Sequence, residues 1–260
     1  MENETEKKKA LILVVDDQPL NQQLFSLILS KMDYPVIYAD NGQEALAKAL
    51  AQGVDFIFMD ILMPGMNGYE ATENLRKKGF KKPIIAVTAS DQSDEQERCL
   101  KAGFNDLLIK PFKKTDIEKT LEKWINAPGI SSGSGDEESD ASSLEKSIIF
   151  DPTVMLGNFM NNEEVVLPLL SRFIERTYNQ IQNFPTLESV GDWKSARYDT
   201  HMIKGAALTM GGPELGKAAA RLESACINAD VEEIKTAFPL LCEAFNIYKE
   251  EAEKFIQFHK

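Results

Sequence analysis

The sequence predicts an α/β domain with a parallel sheet, followed by an all-α domain built as a helical bundle. In the first half, short β-rich runs alternate with helical patterns, as they do in sheets that carry helices on both faces. In the second half, apolar residues keep helical spacing and no strand pattern appears. A chain of 260 residues is long enough for two domains that each bury a core.

Five β-rich runs define the first domain. They are Leu11–Val15, Val36–Ala39, Phe56–Met59, Ile84–Thr88 and Leu107–Ile109. Helical patterns separate them, and turn residues such as Pro19 and Asn41-Gly42 fit the starts of two helices. Repeated β–α units of this kind predict a five-stranded parallel sheet.

A run of Ser, Gly and acidic residues separates the two halves. It contains the string SSGSGDEESDASS, which is too polar to join a core. We therefore expect a polar tail over residues 1–9, the α/β domain over 10–128, a flexible linker over 129–146 and the helical domain over 147–260. Ser/Gly runs also occur at engineered fusion joints, so composition leaves the origin of the linker open.

The helical half is divided by turn and breaker residues. The predicted breaks lie near Phe184-Pro185, Gly191-Asp192, Gly211-Gly212-Pro213 and Asn228-Ala229-Asp230. They leave four substantial helices and a shorter one at Asp151–Phe159.

Composition argues against several classes of function. The net charge of −12 is unfavourable for binding nucleic acid, whose phosphates attract basic surfaces. There is no apolar run of membrane-spanning length, and the first ten residues are polar. The three cysteines share no metal-ligand spacing, so we expect reduced core thiols. We expect a cytoplasmic protein that binds neither nucleic acid nor membranes.

Charged and hydroxyl side chains stand at the carboxyl ends of the predicted strands. They are Asp16, Asp17, Asp60, Thr88 and Lys110. Ligands of open parallel sheets bind at this edge, so we expect these side chains to converge. Three close carboxylates need a cation to offset their repulsion, and oxygen ligands suit Mg²⁺. Because an aspartate can attack a phosphoryl group, Asp60 on the middle strand is the predicted nucleophile.

The strings VVDDQP, FIFMDILMPGMNGYEA, IIAVTAS and LLIKPF resemble the receiver domain of response regulators, over roughly Ala10–Asn126. The resemblance implies a flavodoxin-like fold in which Asp60 accepts phosphate. It also implies the remaining roles, which are Mg²⁺ binding by Asp16, Asp17, Asp60 and the backbone carbonyl of Leu62, and contacts from Thr88 and Lys110 to the phosphoryl oxygens.

Two further features follow from the same resemblance. Receiver domains usually have a cis peptide at the Lys-Pro step, here Lys110-Pro111, and use the hydroxyl of Thr88 as a switch. Many of them also place an aromatic residue three positions before the lysine, where this chain has Leu107. Phe104 is near that position but out of register. This departure puts an aromatic-coupled output switch in doubt and leaves the phosphorylation chemistry intact.

His201 is the candidate for histidine chemistry, because the other histidine, His259, is the penultimate residue. On a helix, Lys204 and Gly205 would lie one turn further on, beside the imidazole. Glycine inside a helix costs about 1 kcal/mol relative to alanine, so helix stability does not explain Gly205. We expect the missing side chain to leave the imidazole of His201 open to a docking partner. An exposed neutral imidazole can attack an aspartyl phosphate, and Lys204 can attract the transferred oxygens.

The string HMIKGAA, with Leu215-Gly216 and Leu222-Glu223 further on, resembles the histidine phosphotransfer domain over roughly Ile148–Lys260. The resemblance implies a helical bundle in which His201 is phosphorylated and exposed midway along one helix. The family usually has Leu where Ile203 stands, a mild change that leaves the chemistry intact.

Together the two halves predict a phosphorelay intermediate, a phosphoryl carrier rather than an enzyme, since the sequence contains no nucleotide-binding motif of a histidine kinase. The expected partners are an upstream sensor histidine kinase, hybrid or not, and a downstream receiver, with a contact between the two domains themselves also open. One alternative is an Asp-nucleophile phosphohydrolase, but Leu62 occupies the place of its second aspartate. The other is a non-phosphorylated docking scaffold, which intact Asp60 and His201 argue against.

Overall fold

The computed structural model describes residues 9–89, 93–126 and 149–259. The chain divides into two compact units, Met1–Pro128 and Gly129–Lys260. The predicted linker lies outside the described residues, as does all of the predicted tail except its last residue. Among the described helices, none combines the length and the apolar character that a membrane span requires.

Five parallel strands form the sheet of the first unit. They are β1 (Ile12–Val15), β2 (Val36–Ala39), β3 (Phe56–Asp60), β4 (Ile84–Thr88) and β5 (Asp106–Ile109). Their order is β2-β1-β3-β4-β5, the flavodoxin-like order, in which ligands bind where the strand order reverses, between β1 and β3. The predicted fold class is confirmed, and no strand bound differs from its prediction by more than one residue.

Five helices cover the sheet. They are α1 (Pro19–Ser30), α2 (Gly42–Ala51), α3 (Gly68–Lys77), α4 (Ser93–Ala102) and α5 (Lys114–Leu121), the last continued by a π-helical turn over Glu122–Asn126. Local signals set their starts: a proline opens α1, and the Asn41 side chain accepts a hydrogen bond from the Glu44 backbone N–H at the start of α2.

The central strands are buried on both faces, because helices pack on each side of the sheet. Ile57 and Met59 of β3 belong to one core cluster. Phe58, which alternates with them, contacts the ring of Phe25 of α1 with centroids 4.8 Å apart. This two-sided packing fixes the strand ends where the predicted site residues stand.

The described part of the second unit, residues 149–259, is built from helices. They are α6 (Pro152–Asn158), α7 (Glu163–Val190), α8 (Trp193–Thr209), α9 (Pro213–Ile227) and α10 (Val231–Phe258). The prediction of four long helices and one short helix is confirmed for this part of the chain. Gly191, with a φ of 68°, ends α7, and the Asp192 side chain caps the start of α8.

The predicted break near Phe184-Pro185 is wrong, because α7 continues through both residues to Val190. Proline inside a helix removes one hydrogen bond and costs about 3 kcal/mol. The ring of Phe184 is buried and stacks on Phe238 of α10, with centroids 4.5 Å apart. Burying a large aromatic side chain contributes up to about 3 kcal/mol, so tertiary packing offsets the local cost of the proline.

One side chain of α3 holds together the loops at the edge of the sheet opposite the strand carboxyl ends. The guanidinium of Arg76 donates hydrogen bonds to the carbonyls of Gly103, Phe80 and Lys82 and to the side-chain oxygen of Asn105, at 2.6–2.9 Å. Burial lowers the pKa of Arg76 from its ordinary value.

We expect Arg76→Ala to lower the free energy of unfolding by about 3 kcal/mol, because it leaves partly buried acceptors without a donor. Urea unfolding measures the loss. The control is Lys77→Ala, which removes an exposed ion pair with Glu73 and should cost less than about 0.5 kcal/mol. Equal losses in the two variants would contradict this account of Arg76.

Candidate functional site

The register of the sheet brings two aspartates side by side. Val15 pairs with Met59, so Asp16 and Asp60, the next residue on each strand, are neighbours at the sheet edge. Both are almost fully buried, with 1% and 2% of their surface exposed. Carboxylate oxygens of Asp16, Asp17 and Asp60 all lie within 4.8 Å of one another. The predicted convergence of the three carboxylates is present.

The same register adds the predicted hydroxyl and ammonium groups. Asp60 pairs with Val87, which places Thr88 one residue further along, and Thr88 pairs with Ile109, directly before Lys110. Thr88 and Lys110 are both buried. The peptide bond between Lys110 and the following proline is cis, as predicted.

The Lys110 ammonium joins the two buried aspartates. Its Nζ lies 2.7 Å from Oδ2 of Asp60 and 3.0 Å from Oδ2 of Asp16. Burial lowers the pKa of Lys110, but the two carboxylates outweigh burial, and the pKa lies above its ordinary value. The lysine therefore stays charged and offsets part of the negative charge of the cluster.

Asp16 receives a second set of donors that the sequence did not reveal. The backbone N–H of Gln18 donates to Oδ1 at 2.8 Å, and Nδ2 of Asn21 lies 3.0 Å from Oδ1 and 2.8 Å from Oδ2. A signal for Asn21 existed, because it stands on the apolar stripe of α1 with Leu24 and Ile28, where a polar residue is unexpected.

The backbone around Asp60 is tightly packed. The N–H of Leu62, whose carbonyl is a predicted metal ligand, donates to Oδ1 of Asp60 at 3.3 Å. Gly68, the first residue of α3, approaches so closely that an added Cβ would lie 2.2 Å from the Asp60 carbonyl oxygen. Only glycine fits there, so α3 begins directly against the end of β3.

This donor set fits a divalent cation. All the side-chain ligands are carboxylate oxygens, which suit hard cations such as Mg²⁺ and Ca²⁺. Three carboxylates against one lysine leave an excess of negative charge in a buried place, and a bound cation would reduce it.

Leu107 stands three positions before Lys110, where many receiver domains have an aromatic switch residue. It is partly buried and packs against the core. Phe104 is buried and contacts Tyr69 of α3 edge-on, with ring centroids 6.1 Å apart. The Tyr69 hydroxyl in turn donates a hydrogen bond to Glu95 of α4. The ring of Phe104 therefore packs against α3 through Tyr69.

In the second unit, His201 is more buried than expected. The sequence predicted an exposed ring on α8, but only 8% of the residue is exposed. Its Nδ1 lies 2.7 Å from Oε1 of Glu223 on α9, which packs along α8. Lys204 also contacts this carboxylate, with Nζ 3.3 Å from Oε2. Glu223 holds the ring between the two helices, which explains the burial.

The Glu223 carboxylate fixes which nitrogen of the His201 ring faces it. Burial raises the pKa of Glu223, but the hydrogen bond and charge of His201 and the charge of Lys204 outweigh it, and the net pKa is lowered. An ionised carboxylate only accepts hydrogen bonds, so Nδ1 of His201 donates to Glu223, and Nε2 is the ring nitrogen that this contact leaves available.

Glu223 is part of the string that resembles the phosphotransfer family, but its sequence position alone predicted no role for it. The signal was again a charged residue among apolar ones, since Leu222 and Cys226 on the same helix are buried. Gly205, one turn after His201, was expected to leave space beside the ring. A Cβ added at Gly205 would meet nothing within 4 Å apart from its own helix backbone.

Two families match the chain. Residues 12–122 match the response regulator receiver domain, and residues 168–252 match the Hpt domain.

Similar proteins match part of the chain. Over 111 residues the chain is 37% identical to sensor histidine kinase RcsC of Escherichia coli strain K12, covering 43% of this chain and 12% of RcsC. Over 120 residues it is 38% identical to protein PilH of Pseudomonas aeruginosa, covering 45% of this chain and 96% of PilH.

A solved structure is similar as well. It is the receiver domain of sensor histidine kinase PA1611 from Pseudomonas aeruginosa, with a magnesium ion coordinated in its active site cleft. It is 38% identical and covers 46% of this chain and 99% of its own, with a TM-score of 0.43.

The chain spans about an eighth of the length of RcsC, whereas it covers nearly all of PilH. The match to PilH, the two family matches and the five-stranded sheet agree with one another. The chain belongs to the two-component signalling proteins and carries a response regulator receiver domain followed by an Hpt domain.

Proposed function

We propose that this chain is a phosphorelay intermediate in which Asp60 and His201 each carry a phosphoryl group. The observation that carries the proposal is the contact of Lys110 with Asp60 and Asp16 among three converging carboxylates. That arrangement supplies a nucleophile and a fixed positive charge in one buried place.

At the first site, an oxygen of Asp60 attacks the phosphorus of a phosphodonor, and the bond from phosphorus to the leaving group breaks. Lys110 stabilises the charge on the transferred oxygens. Thr88 lies at the same edge of the sheet, where its hydroxyl can contact these oxygens. The remaining ligands, Asp16, Asp17 and the Leu62 carbonyl, would hold Mg²⁺ together with Asp60. Bound Mg²⁺ supplies further neutralisation of the phosphoryl oxygens.

At the second site, Nε2 of His201 attacks an aspartyl phosphate. A phosphorus–nitrogen bond forms while the phosphorus–oxygen bond of the acyl phosphate breaks, and the aspartate leaves as a carboxylate. Glu223 holds the hydrogen on Nδ1 and stabilises the positive ring that develops. Lys204 lies beside the ring, where it can contact the phosphoryl oxygens.

The proposed partners follow from this chemistry. A sensor histidine kinase supplies phosphate to Asp60, and a downstream receiver exchanges phosphate with His201. Phosphate flow in the reverse direction, from His201 toward Asp60, forms and breaks the same phosphorus–nitrogen and phosphorus–oxygen bonds. Transfer between Asp60 and His201 of one chain is a third route, and the cytoplasm is the proposed location. The chain itself acts as a phosphoryl carrier that depends on a separate kinase for ATP.

Labelling with acetyl phosphate and Mg²⁺ tests both acceptors. We expect base-labile, acyl-phosphate label on Asp60 of the wild-type chain, no label on Asp60→Asn, and acyl label alone on His201→Ala. Acid-labile label on His201 should appear only when Asp60 is intact. Removing Mg²⁺ with a chelator should abolish labelling. Label that persists in Asp60→Asn would contradict the assignment of Asp60.

Gly205→Ala tests whether a partner docks beside His201. The substitution should raise the free energy of unfolding by up to about 1 kcal/mol, because alanine favours a helix and meets no neighbour. It should slow label transfer to His201, because the methyl group enters the space that the partner needs. The donor is a His201→Ala chain phosphorylated on Asp60, and the acceptors are Asp60→Asn chains.

Gly157→Ala is the matched control, since Gly157 lies within helix α6 and an added Cβ there also meets nothing within 4 Å. It should stabilise the chain and leave the transfer rate unchanged. Unchanged transfer in both variants would argue against docking at Gly205.

Glu223 predicts a specific pH dependence of stability. Its pKa is lowered in the folded chain from an ordinary 4.5, so its ionised form stabilises the fold above that pH. This contribution is lost as the pH falls through the lower, folded pKa. Wild type should therefore exceed Glu223→Gln in unfolding free energy near neutral pH, and the difference should shrink below about pH 4.5. A difference that is constant with pH would contradict the lowered pKa.

A further inference from the structure

A single side-chain nitrogen contacts both carboxylate oxygens of Asp16. Nδ2 of Asn21 lies 3.0 Å from Oδ1 and 2.8 Å from Oδ2. The contacting atom is the amide nitrogen, because a carboxylate accepts hydrogen bonds and would repel the amide oxygen. Asn21 is 3% exposed and stands in the first turn of α1, so the contact is fixed by packing as well as by hydrogen bonding.

The nearly equal distances place this nitrogen between the two oxygens of Asp16. A cation that is held by both oxygens of one carboxylate occupies the same place. Asp16 is further engaged by the N–H of Gln18 on Oδ1 and by Lys110 on Oδ2. For Asp16 to bind a metal through Oδ2, Lys110 would keep only its contact with Asp60, at 2.7 Å. Asp16 can then offer one oxygen to a metal, but not both.

This restriction separates two common cations. Ca²⁺ binds six to eight oxygens at about 2.3–2.6 Å and readily takes both oxygens of a carboxylate. Mg²⁺ requires an octahedral set at about 2.0–2.1 Å, uses single carboxylate oxygens and keeps several waters. A carboxylate that is limited to one oxygen therefore suits Mg²⁺ better than Ca²⁺.

We propose that Asn21 is a specificity-determining residue of the metal site, whose amide prevents Asp16 from binding with both oxygens and so favours Mg²⁺ over Ca²⁺. The inference rests on the proposed metal site of the receiver domain. It assigns to α1 a part in selecting the ion, through a residue that does not itself bind the metal.

The neighbouring residue provides a matched control. Gln22 also extends from α1 toward Asp16, but its Nε2 donates to the backbone carbonyl of Asp16 and to Asp40, both at 2.7 Å. It does not contact the carboxylate. A substitution at Gln22 therefore disturbs the same helix turn and leaves the Asp16 oxygens restricted.

The experiment is calorimetric titration of the full chain with MgCl₂ and with CaCl₂ at constant ionic strength and without a phosphodonor. The variants are wild type, Asn21→Leu and Gln22→Leu, with folding checked by thermal unfolding. We expect the ratio of the Ca²⁺ Kd to the Mg²⁺ Kd to fall about tenfold in Asn21→Leu, the size typical of losing a residue that orients a metal ligand. The ratio should not change in Gln22→Leu.

An unchanged ratio in folded Asn21→Leu would overturn the role of Asn21 while leaving the metal site in place, as would an equal fall in Gln22→Leu. A wild-type chain that binds neither ion would overturn the metal site together with the inference. If Asn21→Leu does not fold, Asn21→Ser removes the same amide with a smaller side chain, and the same ratio decides.

Discussion

The receiver site depends on one buried ammonium group. Without Lys110, the carboxylates of Asp16 and Asp60 would face each other in a place almost closed to water, where like charges repel strongly. With it, each aspartate has a charged partner within 3.0 Å. Removing one member of such a group is strongly destabilising, because it leaves a buried charge without compensation. The parallel register of β1, β3, β4 and β5 brings these residues together.

Each candidate site contains one buried charged side chain that contacts two neighbours, and the sign of its charge differs between the two sites. In the receiver domain one cation, Lys110, is shared by two anions. In the Hpt domain one anion, Glu223, is shared by Lys204 and the His201 ring. The group in the middle is buried in each case, so it orients its neighbours within a medium where charge interactions are strong. Both arrangements leave the reacting residue held in a single orientation.

The strands of the receiver domain and most residues of the two sites could be predicted from sequence. Strands of β-rich composition and the charged residues at their ends follow local rules, since a parallel sheet sends every carboxyl end to one edge. His201 stood out because the chain has few histidines. Local rules could not supply the partners across helices. Asn21 meets Asp16 only because α1 folds back over the strand end, and Glu223 meets His201 only because α9 packs on α8.

The same limit explains the errors. Sequence predicted that Pro185 would end a helix and that His201 would be exposed. Both expectations considered one helix at a time, whereas the burial of Phe184 and the carboxylate of Glu223 come from neighbouring helices.

The prolines inside the long helices have a consequence for how the bundle holds together. Helices α7 and α10 each contain 28 residues, and each includes interior proline, at Pro168 and Pro185 in α7 and at Pro239 in α10. Every such residue interrupts the ladder of backbone hydrogen bonds. The stacked rings of Phe184 and Phe238, each directly before a proline, hold α7 and α10 together at two of these points. We therefore expect a loosened bundle to bend at the prolines before the helices unwind.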